Sequence, residues 1–155
     1  MKKIKLKQKE KETIQDLMTQ EQSCIAKYER YEKEAKDAVL KDLFRDLKTR
    51  EQKHYDTLSQ IYSGSCPASD VNDPSGEQYE PMPTYSMDKE TPEKKSDCYL
   101  ATDAIGTEKL VSGEYNFDVF NFEDACVRKM LADIQVEEQN HAEMLYKYKT
   151  VNGMA

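Results

Sequence analysis

Glu138-Gln139-Asn140-His141 is present twice in this chain; the other copy is Glu51-Gln52-Lys53-His54. The sequence holds two histidines, and each follows a glutamate by three positions. The copies stand 87 residues apart, and a further glutamate lies 30 residues before each, Glu21 before Glu51 and Glu108 before Glu138. The same offset places Tyr28 on Tyr115, Asp37 on Asp124, Leu47 on Ile134 and Leu58 on Leu145, with no gap between Glu21 and Leu58. Self-similarity at a fixed offset is read before any single motif, because it sets the architecture. A unit this long, present twice, predicts a duplicated helical hairpin rather than a solenoid.

Working outward from the repeat, apolar residues at helical spacing predict a first helix over 10–36 (Ile14, Leu17, Cys24, Ile25, Tyr28) and a second over 39–62 (Leu40, Leu43, Leu47, Leu58, Ile61). The second half predicts a third helix over 97–116 and a fourth over 122–150, stopped by Asn152-Gly153. Residues 1–9 read as a solvated basic tail. Between the halves, 63–96 holds all five prolines and reads as a loop. So long a loop is a warning inside a compact domain, but one architecture requires it. If helices two and three run parallel, the chain must recross the full length of the molecule. Tyr79, Met82, Tyr85 and Met87 are the expected anchors of that crossover. The expectation is one all-α domain over 1–155, an antiparallel four-helix bundle of ferritin-like type with a long crossover between helices two and three.

Glu21, Glu51, His54, Glu108, Glu138 and His141 sit in the middle of these apolar stripes. Burying even one unpaired carboxylate costs several kcal/mol. No lysine or arginine recurs on the stripes to offset the four. Two divalent cations would neutralise four carboxylates, and neutral imidazoles would complete their surroundings. Residues i and i+3 share a helix face, so each Glu-x-x-His offers an oxygen and a nitrogen to one metal. Two such helices and two single-glutamate helices make the dinuclear carboxylate site of ferritin-like bundles, and mixed oxygen and imidazole ligands suit iron or manganese. The competing reading of one Glu-x-x-His is a solvated surface pair; the duplication and the stripe placement weigh against it. Glu137 is a rival for Glu138 but lies off the stripe. Tyr28 and Tyr115 read either as core packing or as donors to ligand carboxylates. Asp46 and Asp133 read as surface residues.

The formal charge of −7 argues against nucleic acid as a partner. No apolar run approaches the roughly 20 residues that span a membrane, and the lysine-rich start lacks the apolar segment of a secretory signal, so synthesis in the cytoplasm is expected. The four cysteines, at 24, 66, 98 and 126, show no C-x-x-C spacing, which disfavours zinc ribbons and rubredoxin-type iron sites. Cys24 and Cys126 read as buried thiols in helices, while Cys66 and Cys98 are the pair placed to bond or cross-link.

The pattern Glu, E-x-x-H, Glu, E-x-x-H resembles the ferritin-like superfamily, including rubrerythrins and manganese catalases, over about residues 10–150. Asp103-Ala104, Thr107-Glu108-Lys109, Tyr115-Asn116, Val127-Arg128, Glu138-Gln139, His141 and Asn152-Gly153-Met154 are similar to the spore coat protein F family of endospore-forming bacteria. Lys27-Tyr28 and Glu51-Gln52-Lys53-His54-Tyr55 resemble its clostridial-type members. That resemblance implies a spore-coat protein that associates with other coat proteins or with itself. Three functions stay open: a structural coat module, a dinuclear oxidase, peroxidase or catalase acting on peroxide or dioxygen, and, less favoured, an iron store. Unlike rubrerythrins, this chain lacks the two C-x-x-C pairs of a rubredoxin-like electron donor.

Overall fold

Two helical hairpins carry the core. The computed structural model describes residues 1–69 and 73–155 and is all-helical apart from one two-residue ladder. In chain order the elements are β1 (Lys2–Lys3), α1 (Gln8–Glu34), α2 (Ala38–Tyr62), β2 (Ser65–Cys66), the short α3 (Ser75–Gln78), α4 (Pro92–Asp118), a 3-10 turn (Val119–Asn121) and α5 (Ala125–Val151). No described helix is long and apolar enough to cross a membrane.

Side-chain pairings fix the directions. Glu32 of α1 meets Arg45 and Lys48 of α2, while Gln22 meets Tyr55, so α1 and α2 are antiparallel. Lys27 pairs with Asp103 and Tyr28 with Glu108, whereas Glu21 meets Tyr115, so α1 and α4 are antiparallel. Asp37 with Tyr148 and His54 with Glu137 make α2 and α5 antiparallel. It follows that α2 and α4 run parallel, and the segment between them crosses the length of the molecule.

The buried positions of α1 are Glu10, Ile14, Leu17, Glu21, Cys24 and Tyr28, alternating by four and three. That alternation keeps one face inward on helices packed nearly along one another. The inward faces form two apolar clusters. One gathers Ile14, Leu17, Leu58, Ile61, Val127 and Leu131; the other gathers Leu40, Phe44, Leu47, Leu100, Leu145 and Tyr148. The duplicated acids and histidines lie between them along each helix.

Starts and stops follow local chemistry. Asp37 and Asp124, matched by the repeat, each cap a helix by accepting from the backbone N–H two residues on, at Val39 (3.2 Å) and Cys126 (2.8 Å). The repeat reaches further back than the Glu21 register: Glu10 and Asp97 are also 87 apart. Asp97 accepts from the N–H groups of Lys36 and Asp37 at 2.9 Å, and Glu10 accepts from Glu123 N–H at 3.0 Å. Each buried carboxylate therefore ties the start of one hairpin's first helix to the turn of the other hairpin. Gly153, at φ +64°, closes α5 with Met154 N–H donating to Lys149 O at 2.9 Å.

Several expectations need correction. The third helix begins at Pro92, not at 97, because Thr91 caps it and a proline fits the first helical position, where no N–H is needed. The fourth begins at 125 behind the Asp124 cap. The amino-terminal segment is not wholly a solvated tail: β1 pairs antiparallel with β2, Lys2 opposite Cys66, and Leu6 is buried. In the crossover, Tyr79 packs on the core and Tyr85 donates to Asp97 at 2.6 Å, but Met82 and Met87 are 73% and 60% exposed. Asn152 does the anchoring instead, its Oδ1 accepting from Thr84 and Tyr85 N–H at 2.8 and 2.9 Å. Cys66 pairs with Cys126, not Cys98; β1–β2 pairing brings Cys66 to the start of α5, while Cys24 and Cys98 are free.

Candidate metal centre

One helix contributes each single glutamate and two contribute the Glu-x-x-His pairs, so four helices meet at one point. Glu21, Glu51, Glu108, Glu138 and His141 are at most 1% exposed and His54 is 3% exposed. They form two overlapping groups whose ligand atoms lie within 4.8 Å of one another: Glu21, Glu51, His54 and Glu138, and Glu51, Glu108, Glu138 and His141. Each group could hold a metal ion.

The shared glutamates divide their oxygens between the groups. Glu51 turns Oε2 to His54 Nδ1 at 3.1 Å and Oε1 to His141 Nδ1 at 3.2 Å. Glu138 turns Oε1 to His54 Nδ1 at 2.9 Å and Oε2 to His141 Nδ1 at 3.7 Å. Glu21 Oε1 stands 3.7 Å from His54 Nδ1, and Glu108 Oε1 stands 3.5 Å from His141 Nδ1. Both imidazoles thus present Nδ1 inward, and the rings stack at 5.6 Å with 14° between their planes.

Around this centre the repeat is carried out crosswise. Tyr28 of α1 donates to Glu108 of α4, and Tyr115 of α4 donates to Glu21 of α1. Each tyrosine therefore holds the carboxylate of the opposite hairpin. Outside the centre, His54 Nε2 lies 2.9 Å from Glu137 Oε2, so this off-stripe glutamate supports a histidine rather than replacing Glu138. The repeat hid that partnership, because position 137 corresponds to Arg50. Of the two aspartates expected at the surface, Asp46 is exposed and pairs with Arg50, but Asp133 is 7% exposed, since it faces the groove between α2 and α5.

The residues present fit cations. Glu21 Oε2, Glu108 Oε2, both Glu138 oxygens and His141 Nε2 are buried without a hydrogen-bond partner. Among the described residues no lysine or arginine forms an ion pair with any of the four glutamates. A lone buried carboxylate costs several kcal/mol, and four without a protein cation call for metal or protons. In the metal-free cluster protons take that place. Burial pushes Glu21 well above the carboxylate range, and the nearby Glu51 adds to it. Burial and the neighbouring Glu138 raise Glu51, while burial with Glu108 raises Glu138 to about 7. Burial also pushes Glu108 up, but the charge of His141 outweighs it and holds Glu108 down at about 2. Burial works against both imidazolium ions, yet the surrounding carboxylates win and raise both histidines. A cation entering the cluster displaces those protons, so metal affinity rises with pH.

No protein-family model, no curated protein and no solved structure matches this chain.

Proposed function

We propose that the chain is a ferritin-like four-helix bundle holding two iron or two manganese ions, and that it acts on hydrogen peroxide or dioxygen. The observation that carries this reading is the division of oxygens at Glu51 and Glu138, each carboxylate facing both histidines. A carboxylate so placed is suited to bridge two ions, whereas a single-ion site needs only one face of it. Glu21 with His54, and Glu108 with His141, complete the two ligand sets. Mixed oxygen and imidazole donors favour iron or manganese over zinc or copper. Such a pair of ions supplies redox chemistry toward peroxide or dioxygen.

The chain's own part is positioning. The Tyr28 and Tyr115 hydroxyls orient the two terminal carboxylates, and Glu137 orients His54. The apolar clusters on either side keep bulk water from the centre, which strengthens every electrostatic interaction inside it. Turnover as a peroxidase would draw electrons from a separate reductant, since no rubredoxin-like pair is present; catalase-type turnover would need none. The similarity of the second half to the spore coat protein F family supports a place in the endospore coat, among coat proteins or copies of itself. The Cys66–Cys126 bridge suits such a setting better than a reducing cytosol.

Elemental analysis of the purified protein tests the reading: about two iron or manganese ions per chain are expected. Peroxide consumption by the loaded protein, lost in a folded Glu138→Ala variant, would establish the chemistry. A folded protein that retains neither metal after supplementation with both would refute it.

A further inference from the structure

The two ends of the centre, matched by the repeat, face different surroundings. Beside His54, the groove between α2 and α5 is an open pocket of about 450 Å³ whose lining includes Lys53, Thr57, Asp73, Asp133 and Glu137. Beside His141, the crossover fills the equivalent stretch of groove. Gly76 lies so close to α5 that a Cβ there would stand 3.0 Å from the Asn140 Cα. Asn140 donates to Asp73 O at 3.0 Å, and Lys147 donates to Gly76 O and Glu77 O at 2.7 and 2.9 Å. The pocket at that end is lined by Val39, Asp42, Leu43, Asp46, Tyr79 and Pro81, and reaches neither histidine.

The outer nitrogens of the rings differ in the same sense. His54 Nε2 has Glu137, whose side chain is 31% exposed. His141 Nε2 is buried and unpartnered. Its matched position is Arg50, which has only donors and cannot accept an imidazole N–H; Arg50 turns to Asp46 at 3.1 Å instead.

We infer that ions and small uncharged molecules reach the centre from the His54 side alone, and that Glu137 is the positioning residue holding the His54 ring at that entrance. This rests on the dinuclear reading. Three carboxylates (Asp73, Asp133 and Glu137) against one lysine make the mouth of the pocket net negative. Such a mouth concentrates divalent cations and repels anions, while leaving hydrogen peroxide unaffected. The ion held by Glu21 and His54 is then the exposed one, and the ion held by Glu108 and His141 the enclosed one.

Cobalt(II) uptake by the metal-free protein tests the entrance. Thr57→Trp, or Lys53→Trp at an exposed neighbouring position, plugs the pocket. Either is expected to leave the final cobalt content unchanged and to slow uptake about tenfold or more, taking the usual cost of obstructing or misplacing a metal site's surroundings. Asp42→Trp, at the closed end, is expected to load at the wild-type rate. Plugged variants that load as fast as wild type, or an Asp42→Trp variant slowed equally, overturn the single entrance. Extraction of cobalt by a chelator tests Glu137. In Glu137→Ala one of the two ions should leave about 10- to 100-fold faster than in wild type, and Glu137→Gln, whose amide oxygen still accepts, should restore the slower rate. Equal loss of both ions, or no rescue by glutamine, overturns the positioning role. A wild-type protein that takes up no cobalt overturns the metal centre itself, whereas normal uptake with ineffective plugs overturns only the entrance.

Discussion

The first hairpin and the second place the same residues around the centre, yet the crossover belongs to neither and falls across only one end. Inside, the halves are interchangeable: a tyrosine of each holds a carboxylate of the other, and Glu10 and Asp97 reproduce one another across the repeat. Outside, they diverge at Glu137 against Arg50 and at the open groove against the filled one. A duplicated core keeps its chemistry symmetric because both copies face the same interior. Its surface is free to differ, and the connection that made one chain of two hairpins guarantees that it does.

The largest effect expected comes from removing a shared ligand. Glu51→Ala or Glu138→Ala should abolish binding of both ions, whereas Glu21→Ala or Glu108→Ala should leave about one ion per chain, since each serves one group. Metal content by elemental analysis reads this directly. Equal losses from all four variants would break the distinction between shared and terminal ligands.

Next in size is the pH dependence of the metal-free protein. Glu21, Glu51, Glu138, His54 and His141 all have raised folded values. A raised group contributes stability below its unfolded value, and that contribution is lost as pH rises through the folded value. The unfolded values are 4.5 for the carboxyls and 6.5 for the imidazoles, and Glu138 titrates at about 7. Glu108 acts oppositely, but only as pH falls toward about 2. The chelated protein should therefore melt at a lower temperature at about pH 8 than at about pH 5, while the gain on adding metal grows over the same range. A chelated protein that becomes more stable as pH rises would contradict the proton-filled cluster.

A third test concerns the bridge. Cys126→Ser removes a link spanning 60 residues, a loss of roughly 2–4 kcal/mol in thermal melts under oxidising conditions. Ion content should be unchanged, since neither cysteine touches the centre. The smallest effect sharpens the inner symmetry. Tyr28→Phe and Tyr115→Phe should each weaken metal binding, by about tenfold at the low end of what such supporting bonds contribute, and by similar amounts. A large inequality between them would carry the outer asymmetry into the core.

The sequence revealed the inner features and hid the outer ones for a physical reason. Glu51, His54, Glu138 and His141 stood out because charged groups interrupting an apolar stripe have few explanations. Periodicity also placed the four long helices within a few residues. The Glu10–Asp97 match escaped because the two differ by a methylene and precede the ungapped register. Glu137 escaped because its partner is on another helix, and Cys126 because β1–β2 pairing, two residues long, leaves no periodic signal. The course of the crossover over one end depends on contacts such as Asn140 with Asp73, which no local pattern encodes.

The crosswise tyrosine bonds bear on how the protein comes apart. Each ligand set draws on three helices, and the two sets together draw on all four. No helix can fray through its midpoint without breaking coordination on its neighbours. In the loaded protein the backbone amides near the middle of α1, α2, α4 and α5 should therefore exchange with deuterium as one cooperative unit, and removing metal should divide that unit into two hairpins that open independently.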